Sequence, residues 1–291
     1  MVYLIDASVY VFRAYYSMPP DLRDVDGNPV HAVYGFARFI ADLIERAKPE
    51  YLAVAFDGSL STSYRNRIYP AYKANREPAP PDLVLQFERC RQFCHHLGLA
   101  WFTSTEFEAD DLIGTLVHRV RDEGLRSTVV TRDKDLAQLV GPGDVYWDYA
   151  GDNRYHYADI EPRFGVAPER YADYLALTGD AVDNIPGVPG VGPKTAAVLM
   201  KEFPSLDHLY DGLDRVADLP LRGATQLGAK LALHRDAAYL ARELTRIHCQ
   251  VPLDITRHDL KRRPADREAL DRFFDAQGFG TLLRRQVERL G

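Results

Sequence analysis

The chain has 291 residues, 46% of them hydrophobic and 27% charged, and a formal net charge of −6. That is enough for a sizeable core, as one large or two modest domains; no apolar run approaches the ~20 residues of a membrane span, and the start lacks the charged region and long apolar stretch of a signal peptide. Three cysteines exclude a disulfide framework and fit a reducing cytosol, and the negative charge argues at first sight against a nucleic-acid binder.

The first half alternates short β-branched or apolar runs with amphipathic ones. "VYLIDAS" (2–8) reads as a strand and "HAVYGFARFIADLIERA" (31–47) as a helix. There follow strand "YLAVAFD" (51–57), helix "DLVLQFERCRQFCHHLG" (82–98), strand "LAWFTS" (99–104) and helix "ADDLIGTLVHRVRDEG" (109–124). Strand "STVVTRD" (127–133), helix "KDLAQLV" (134–140) and strand "DVYWDY" (144–149) complete the series. Strands alternating with helices predict a parallel sheet covered on both faces. Cys90 and Cys94 lie one turn apart on the second of these helices, followed by His95 and His96; two apolar thiols at that spacing fit a packed core better than a metal site. Beyond about residue 165 the pattern becomes helical: "APERYADYLALTGD" (167–180), "GPKTAAVLMKEF" (192–203), "LDHLYDGL" (206–213) and "GAKLALHRDAAYLARELTRI" (228–247). The expected division is 1–160 and 161–291, with a soft boundary.

Acidic residues sit where the predicted strands end. Asp6 closes the first strand and Asp57 the second; Glu108, Asp110 and Asp111 follow the third; Asp133 and Asp135 follow the fourth. One strand-end Asp is usually a helix cap or turn residue. Seven at the carboxyl edge of one sheet, where ligands bind in such folds, call for a cation, because close carboxylates otherwise raise one another's pKa. Hard divalent ions suit them: Mg²⁺ prefers carboxylate oxygen and keeps several waters, and two ions about 4 Å apart could stabilise the attacking and leaving oxygens of a phosphodiester displacement. Asp180 and Asp183 belong with these acids. No His–Cys zinc pattern, Ser–His–Asp order or Walker A loop competes.

Two segments point to nucleic acid. "SLSTSYRNRIYPAYKANR" (59–76) carries Arg65, Arg67, Lys73 and Arg76 among Tyr64, Tyr69 and Tyr72, with no acid; basic residues interleaved with aromatics suit a phosphate backbone and stacked bases, although a solvated helix face would share the pattern. "NIPGVPGVGPKTAAVL" (184–199) leads a Gly190-Val191-Gly192 turn into a helix with Pro193 in its first turn. Free N–H groups there can hold a phosphate, with Lys194 and Thr195 beside them, and would read no sequence. Setting the nine site acids aside leaves 33 acids against 36 Lys and Arg, a remainder of about +3. The acidity is therefore local.

With these motifs in place, the chain resembles the bacterial 5′→3′ exonuclease family, comprising the 5′-nuclease domain of DNA polymerase I and its stand-alone relatives, kin to flap endonucleases. The resemblance rests on "DASVYVFRAYY", "FDGSLSTSYRNRIYPAYKANR", "EADDLIGTL", "TRDKDLAQLV", "DYLALTGDAVDNIPGVPGVGPKTA" and "LPLRGATQLGAKL". It implies an α/β fold with a PIN-like parallel sheet and helices on both faces. A helical arch at about 60–90 and an all-helical region with a helix-hairpin-helix at 181–202 would accompany it. It implies metal ligation by Asp6, Asp57, Glu108, Asp110 and Asp111 at a first site and by Asp133, Asp135, Asp180 and Asp183 at a second. It also implies Mg²⁺ or Mn²⁺, at least two ions, with K⁺ on the carbonyls of the hairpin. Arg13, Tyr72, Lys73 and Arg76 match positions engaging the 5′ end and the scissile phosphate, Lys73 and Arg76 on one helical face of the arch. Arg65, Gly190, Gly192, Lys194 and Thr195 are expected to contact DNA. The expected substrate is DNA with 5′ flaps or 5′ ends at single/double-strand junctions, cut by a monomer in replication or repair without a membrane. No polymerase region follows Gly291, so the chain itself is not expected to synthesise DNA. Arg132 and His31 depart from the family, standing where a small residue and Gly are usual. Two other readings stay open: a PIN-type ribonuclease, which leaves hairpin and arch unexplained, and a non-catalytic nucleic-acid binder with structural metals.

Overall fold

In a computed structural model that describes residues 1–58 and 62–290, the first half builds one six-stranded sheet. In chain order its elements are β1 (Val2–Asp6), α1 (Ala7–Ser17), α2 (His31–Ala47), β2 (Tyr51–Asp57), α3 (Tyr64–Ile68), α4 (Pro81–His96), β3 (Ala100–Ser104), α5 (Ala109–Asp122), β4 (Ser127–Val130), β5 (Val145–Asp148) and β6 (Asn153–His156). The strand order is β3-β2-β1-β4-β5-β6. All neighbours are parallel except the β5–β6 hairpin. β6 is absent from the sequence reading: "NRYH" alternates weakly and is mostly exposed, so it carries no apolar signal. "KDLAQLV" forms a 3₁₀ turn, Lys134–Leu139, in place of an α-helix.

The central strands are buried on both faces, which explains their continuous apolar runs. Val2, Leu4, Ile5, Leu52, Val54, Phe56, Val129 and Val130 are all but inaccessible. One face packs on α1, α2 and α4 through Phe36, Ile40, Phe93, Cys90 and Cys94. Both of these cysteines are free and buried, as a core role requires. The other face packs on α5 through Leu112, Ile113, Leu116 and Val117.

The second half adds α6 (Tyr157–Phe164), α7 (Tyr171–Thr178), β7 (Gly179–Asp180), β8 (Ile185–Pro186), α8 (Pro193–Glu202), α9 (Leu206–Asp211), α10 (Ala224–Leu233), α11 (Arg235–Thr245), α12 (Arg267–Ala276) and α13 (Thr281–Glu288). α7 to α11 enclose their own core around Leu175, Leu199, Met200, Phe203 and Leu231. The residues expected as the second unit, 161–291, divide between two cores. From Ile247 onward the chain returns to the first half: Ile247, Val251 and Leu260 pack under α5, and Leu270, Phe273, Phe274, Leu283 and Val287 join the α2–α4 core. Among the described residues no helix is long and apolar enough to cross a membrane.

The expected arch is helical only at its ends. Residues 59–61, at its start, lie outside the described residues. α3 spans five residues, residues 70–76 are turns or a bend, and helix resumes at Pro81. Lys73 has φ +55°, a left-handed conformation that no helix sustains. Lys73 and Arg76 therefore do not share a helical face.

Candidate functional site

The carboxyl edge of the sheet collects the acids. Asp6 ends β1 and is 3% exposed. Its carboxylate accepts the Thr131 hydroxyl at 2.8 Å, and that hydroxyl oxygen accepts the Asp133 N–H at 2.9 Å. Asp57, at the end of β2, accepts the Ala109 N–H at 2.9 Å, which ties β2 to the start of α5. Glu108 and Asp111 form a reciprocal capping box there, and Asp110 lies between them. Asp133 caps the 3₁₀ turn that carries Asp135.

The antiparallel β7–β8 pair brings Asp180 and Asp183 to the same edge. Gly179 makes this pairing possible: it has φ +71°, and a Cβ there would lie 2.4 Å from the Gly187 nitrogen. Lys134 stands 3.7 Å from Asp180.

Electrostatics link these groups into one cluster. Burial, then the charges of Asp57 and Asp133, push the Asp6 carboxyl up to about 8. Burial, then Asp133, Asp6 and Asp57, push Asp110 well above the usual carboxylate range. Asp135 is raised by burial and by Asp133, Asp180 and Asp183. Asp133 is raised by burial, with Asp183 and Asp180 adding to it, and it in turn raises Asp6 and Asp110, so it interacts with acids of both expected metal groups. Asp135 Oδ1 is buried without a hydrogen-bond partner.

Besides Lys134, two cations from the 69–77 segment enter this cluster. Lys73 Nζ lies 2.6 Å from Glu108 and 3.8 Å from Asp183. Arg76 pairs with Asp183. Burial works against the Lys73 ammonium, but Glu108, Asp183 and Asp57 outweigh it and raise its pKa. Burial likewise opposes ionisation of Glu108, yet Lys73 and Arg65 hold its carboxyl below the ordinary value. The Tyr72 hydroxyl donates to Glu108 at 3.1 Å and to Asp183 at 3.3 Å.

Three of the expected site residues are buried. Asp111 is fully buried. One of its oxygens accepts Arg65 Nη1 at 2.7 Å and the Glu108 N–H at 3.1 Å; the other accepts Arg65 Nη2 and the His248 N–H, both at 2.8 Å. Both of its oxygens are thus engaged by the fold. Arg65 is 3% exposed and also donates to the carbonyls of Leu244 and Arg246, which fastens the arch base to the end of α11. Tyr72 is 3% exposed, packs against the helical core and lines the cavity that holds Asp57, Lys73 and Arg76.

The other expected residues are accessible. Arg13 is exposed on α1. Gly190, Gly192 and Lys194 are exposed and Thr195 half-buried at the start of α8. Arg132 turns to Asp148 at 3.5 Å rather than to the acids beside it. His31 is buried, its Nε2 3.2 Å from the Tyr15 carbonyl, and no acid of the cluster contacts it. Thr131, Lys134 and Phe12 were not legible as site residues. Phe12 lines a cavity of about 740 Å³ that runs from Asp57, Lys73 and Arg76 to Val84 and Phe87. A larger cavity, about 1190 Å³, runs along the far part of α5 and residues 239–252 and contains none of the nine acids.

Similarity to known proteins accords with this geometry. The 5′-3′ exonuclease N-terminal resolvase-like domain matches residues 1–165, and the 5′-3′ exonuclease C-terminal SAM fold matches residues 166–268. The chain belongs to the 5′-3′ exonuclease family. A 5′-3′ exonuclease of Buchnera aphidicola is 32% identical over 260 residues, 89% of this chain and 90% of that protein. DNA polymerase I of Rhizobium leguminosarum is 37% identical over 294 residues, 99% of this chain but 28% of the polymerase; the chain spans about a third or less of the polymerases it matches. Among solved structures, T5 5′-exonuclease with bound divalent metal ions (zinc) superposes with a TM-score of 0.69 at 18% identity, covering 99% and 97% of the two chains. The catalytic core of Rad2 in complex with DNA substrate superposes with a TM-score of 0.65 at 16% identity, covering 99% and 90%. Both share the fold of this exonuclease-family chain.

Proposed function

We propose that the chain is a divalent-metal-dependent, structure-selective 5′ nuclease that hydrolyses DNA phosphodiesters at 5′ ends and flaps. The observation that carries this reading is the coupled cluster of Asp6, Asp110, Asp133 and Asp135, whose carboxyls are raised by burial and mutual repulsion.

The donor set fits divalent cations. It is all carboxylate oxygen, as Mg²⁺ or Mn²⁺ prefers, and Asp135 Oδ1 is a buried acceptor with nothing to accept from. Asp6, Asp57, Glu108 and Asp110 would hold a first ion, and Asp133, Asp135, Asp180 and Asp183 a second. Bound there, such ions supply charge neutralisation and water activation for phosphodiester hydrolysis.

The chain's own cations supply the rest. A scissile phosphate entering the cluster competes with Glu108 and Asp183 for Lys73 and Arg76, so both donors are already at the reacting centre. Glu108 and Tyr72 orient Lys73 and Asp183. The cavity walled by Phe12, Val84 and Phe87 offers apolar surface to the unpaired strand next to these donors. Arg13 would engage the 5′ end. The exposed hairpin before α8, with Lys194 and Thr195, would hold duplex phosphates without reading bases. K⁺ on the carbonyls of that hairpin belongs to the same reading, and exchanging K⁺ for Na⁺ at fixed ionic strength tests it.

A labelled 5′-flap DNA, a matched RNA hairpin, and Mg²⁺ with or without chelator separate the readings. The proposal expects Mg²⁺-dependent release of the flap and little cleavage of RNA. Cutting of the RNA alone would mean a PIN-type ribonuclease, and tight DNA binding without cleavage would mean a binder.

A further inference from the structure

The hairpin before α8 meets a second element. Gly190 has φ +80°, and a Cβ built on it would lie 2.9 Å from Lys230 Nζ. Lys230 belongs to α10, from the segment "LRGATQLGAKL" (221–231). Its ammonium is thus set against the backbone turn of another helix pair, at a position where any side chain on the turn would displace it. Lys194 stands on the same hairpin, at the second position of α8. Both lysines are exposed. Neither has a carboxylate partner among the described residues. This contrasts with Lys73, Lys134 and Lys261, each of which lies within ion-pair range of an acid.

An exposed lysine by itself is ordinary. Two unpaired lysines, one with its ammonium against the glycine turn and one on the helix that the turn leads into, are a different case. Nothing on the protein neutralises them, and the absent side chain leaves the backbone between them open to a flat, polyanionic surface. We propose that Lys230 is the second half of a two-lysine clamp across the hairpin. Lys194 and Lys230 would together hold phosphates of one strand of a duplex, and α10 would thereby join α8 in the DNA-binding surface. The clamp rests on the reading of the hairpin as a duplex grip. Its chemistry is charge on phosphate, so it is indifferent to sequence and strongly salt-dependent.

The test uses the full chain in excess EDTA, so that DNA is bound and not cut. Binding of 5′-flap DNA and of plain duplexes of three different sequences is followed by fluorescence anisotropy over a range of KCl. The proteins are wild type, Lys194→Gln, Lys230→Gln, Lys230→Arg and the double Gln variant. Each single Gln variant should reduce the slope of log affinity against log salt by about 0.9, and the double variant by about 1.8, equally on all sequences. Lys230→Arg should keep the wild-type slope, and the melting temperature of Lys230→Gln should match wild type. A Lys230→Gln protein with the wild-type slope overturns the clamp, as does one that loses only thermal stability. If Lys194→Gln still loses slope in that case, the hairpin reading stands without the clamp. If neither variant moves the slope, both readings fall.

Discussion

Replacing Arg65 by Met should unfold the base of the arch rather than weaken DNA contact. The guanidinium is 4% exposed and its partner carboxylate 0%. The substitution removes both charge-assisted bonds to Asp111, at 2.7 and 2.8 Å, and leaves the Leu244 and Arg246 carbonyls without their Arg65 donors. Only the backbone N–H groups of Glu108 and His248 then face a fully buried carboxylate. Breaking a buried pair from one side costs about 3–5 kcal/mol, because the remaining charge is uncompensated. At about 2–4 °C per kcal/mol for a sizeable domain, melting should fall by on the order of 10 °C. Thermal and urea unfolding measure this directly. In the double variant Arg65→Met/Asp111→Leu the stranded charge is gone, so much of the loss should be recovered. A melting temperature within a degree or two of wild type, with weaker DNA binding, would refute this reasoning and return Arg65 to the DNA surface.

Other outcomes follow from the same geometry. Lys73→Ala should slow single-turnover cleavage at saturating enzyme by ~10²–10³ and change the dissociation constant far less, since a donor that strengthens in the transition state acts on rate; a near-wild-type rate removes Lys73 from the mechanism. Asp180→Asn with Asp183→Asn should nearly abolish cleavage while DNA affinity holds or rises, and affinity falling in step with activity would make these acids structural. For Asp24, burial works upward, but hydrogen bonds from Asn28 and Arg89 lower its carboxyl to about 2. Its unfolded value is near 3.9, so its contribution is complete above that pH and is lost as pH falls from about 4 to about 2. The stability gap between wild type and Asp24→Ala, measured by urea unfolding, should therefore be constant near pH 6 and narrow as pH falls toward 2; a gap independent of pH would exclude the ionised carboxylate as its source.

The sheet and its acidic edge were legible because both rest on local signals. Continuous apolar runs mark strands buried on two faces, and Asp6, Asp57 and Asp133 follow directly where those runs stop. Asp111 illustrates the opposite case. Spacing placed it among the ligands, but its fate is set by Arg65 and the His248 backbone, 46 and 137 residues away in sequence. Tyr72 and Arg65 read as a nucleic-acid surface because aromatic and basic residues look alike whether they face phosphate or are buried against a carboxylate. The left-handed Lys73 left no mark in the sequence, since lysine is not a residue that announces positive φ. The return of α12 and α13 to the first core was equally hidden: amphipathic spacing shows that a helix buries one face, not which layer receives it.

The most direct test of the metal-dependent nuclease is single-turnover cleavage of a 5′-labelled flap DNA as Mg²⁺ is raised from zero, for wild type and Asp135→Asn. The wild-type protein should show no cleavage in EDTA and a saturating rise in the millimolar range, as expected for a largely hydrated ion, and the curve for Asp135→Asn should be displaced to higher Mg²⁺ or flattened. Wild-type cleavage that persists undiminished in excess EDTA would contradict the metal-dependent reading.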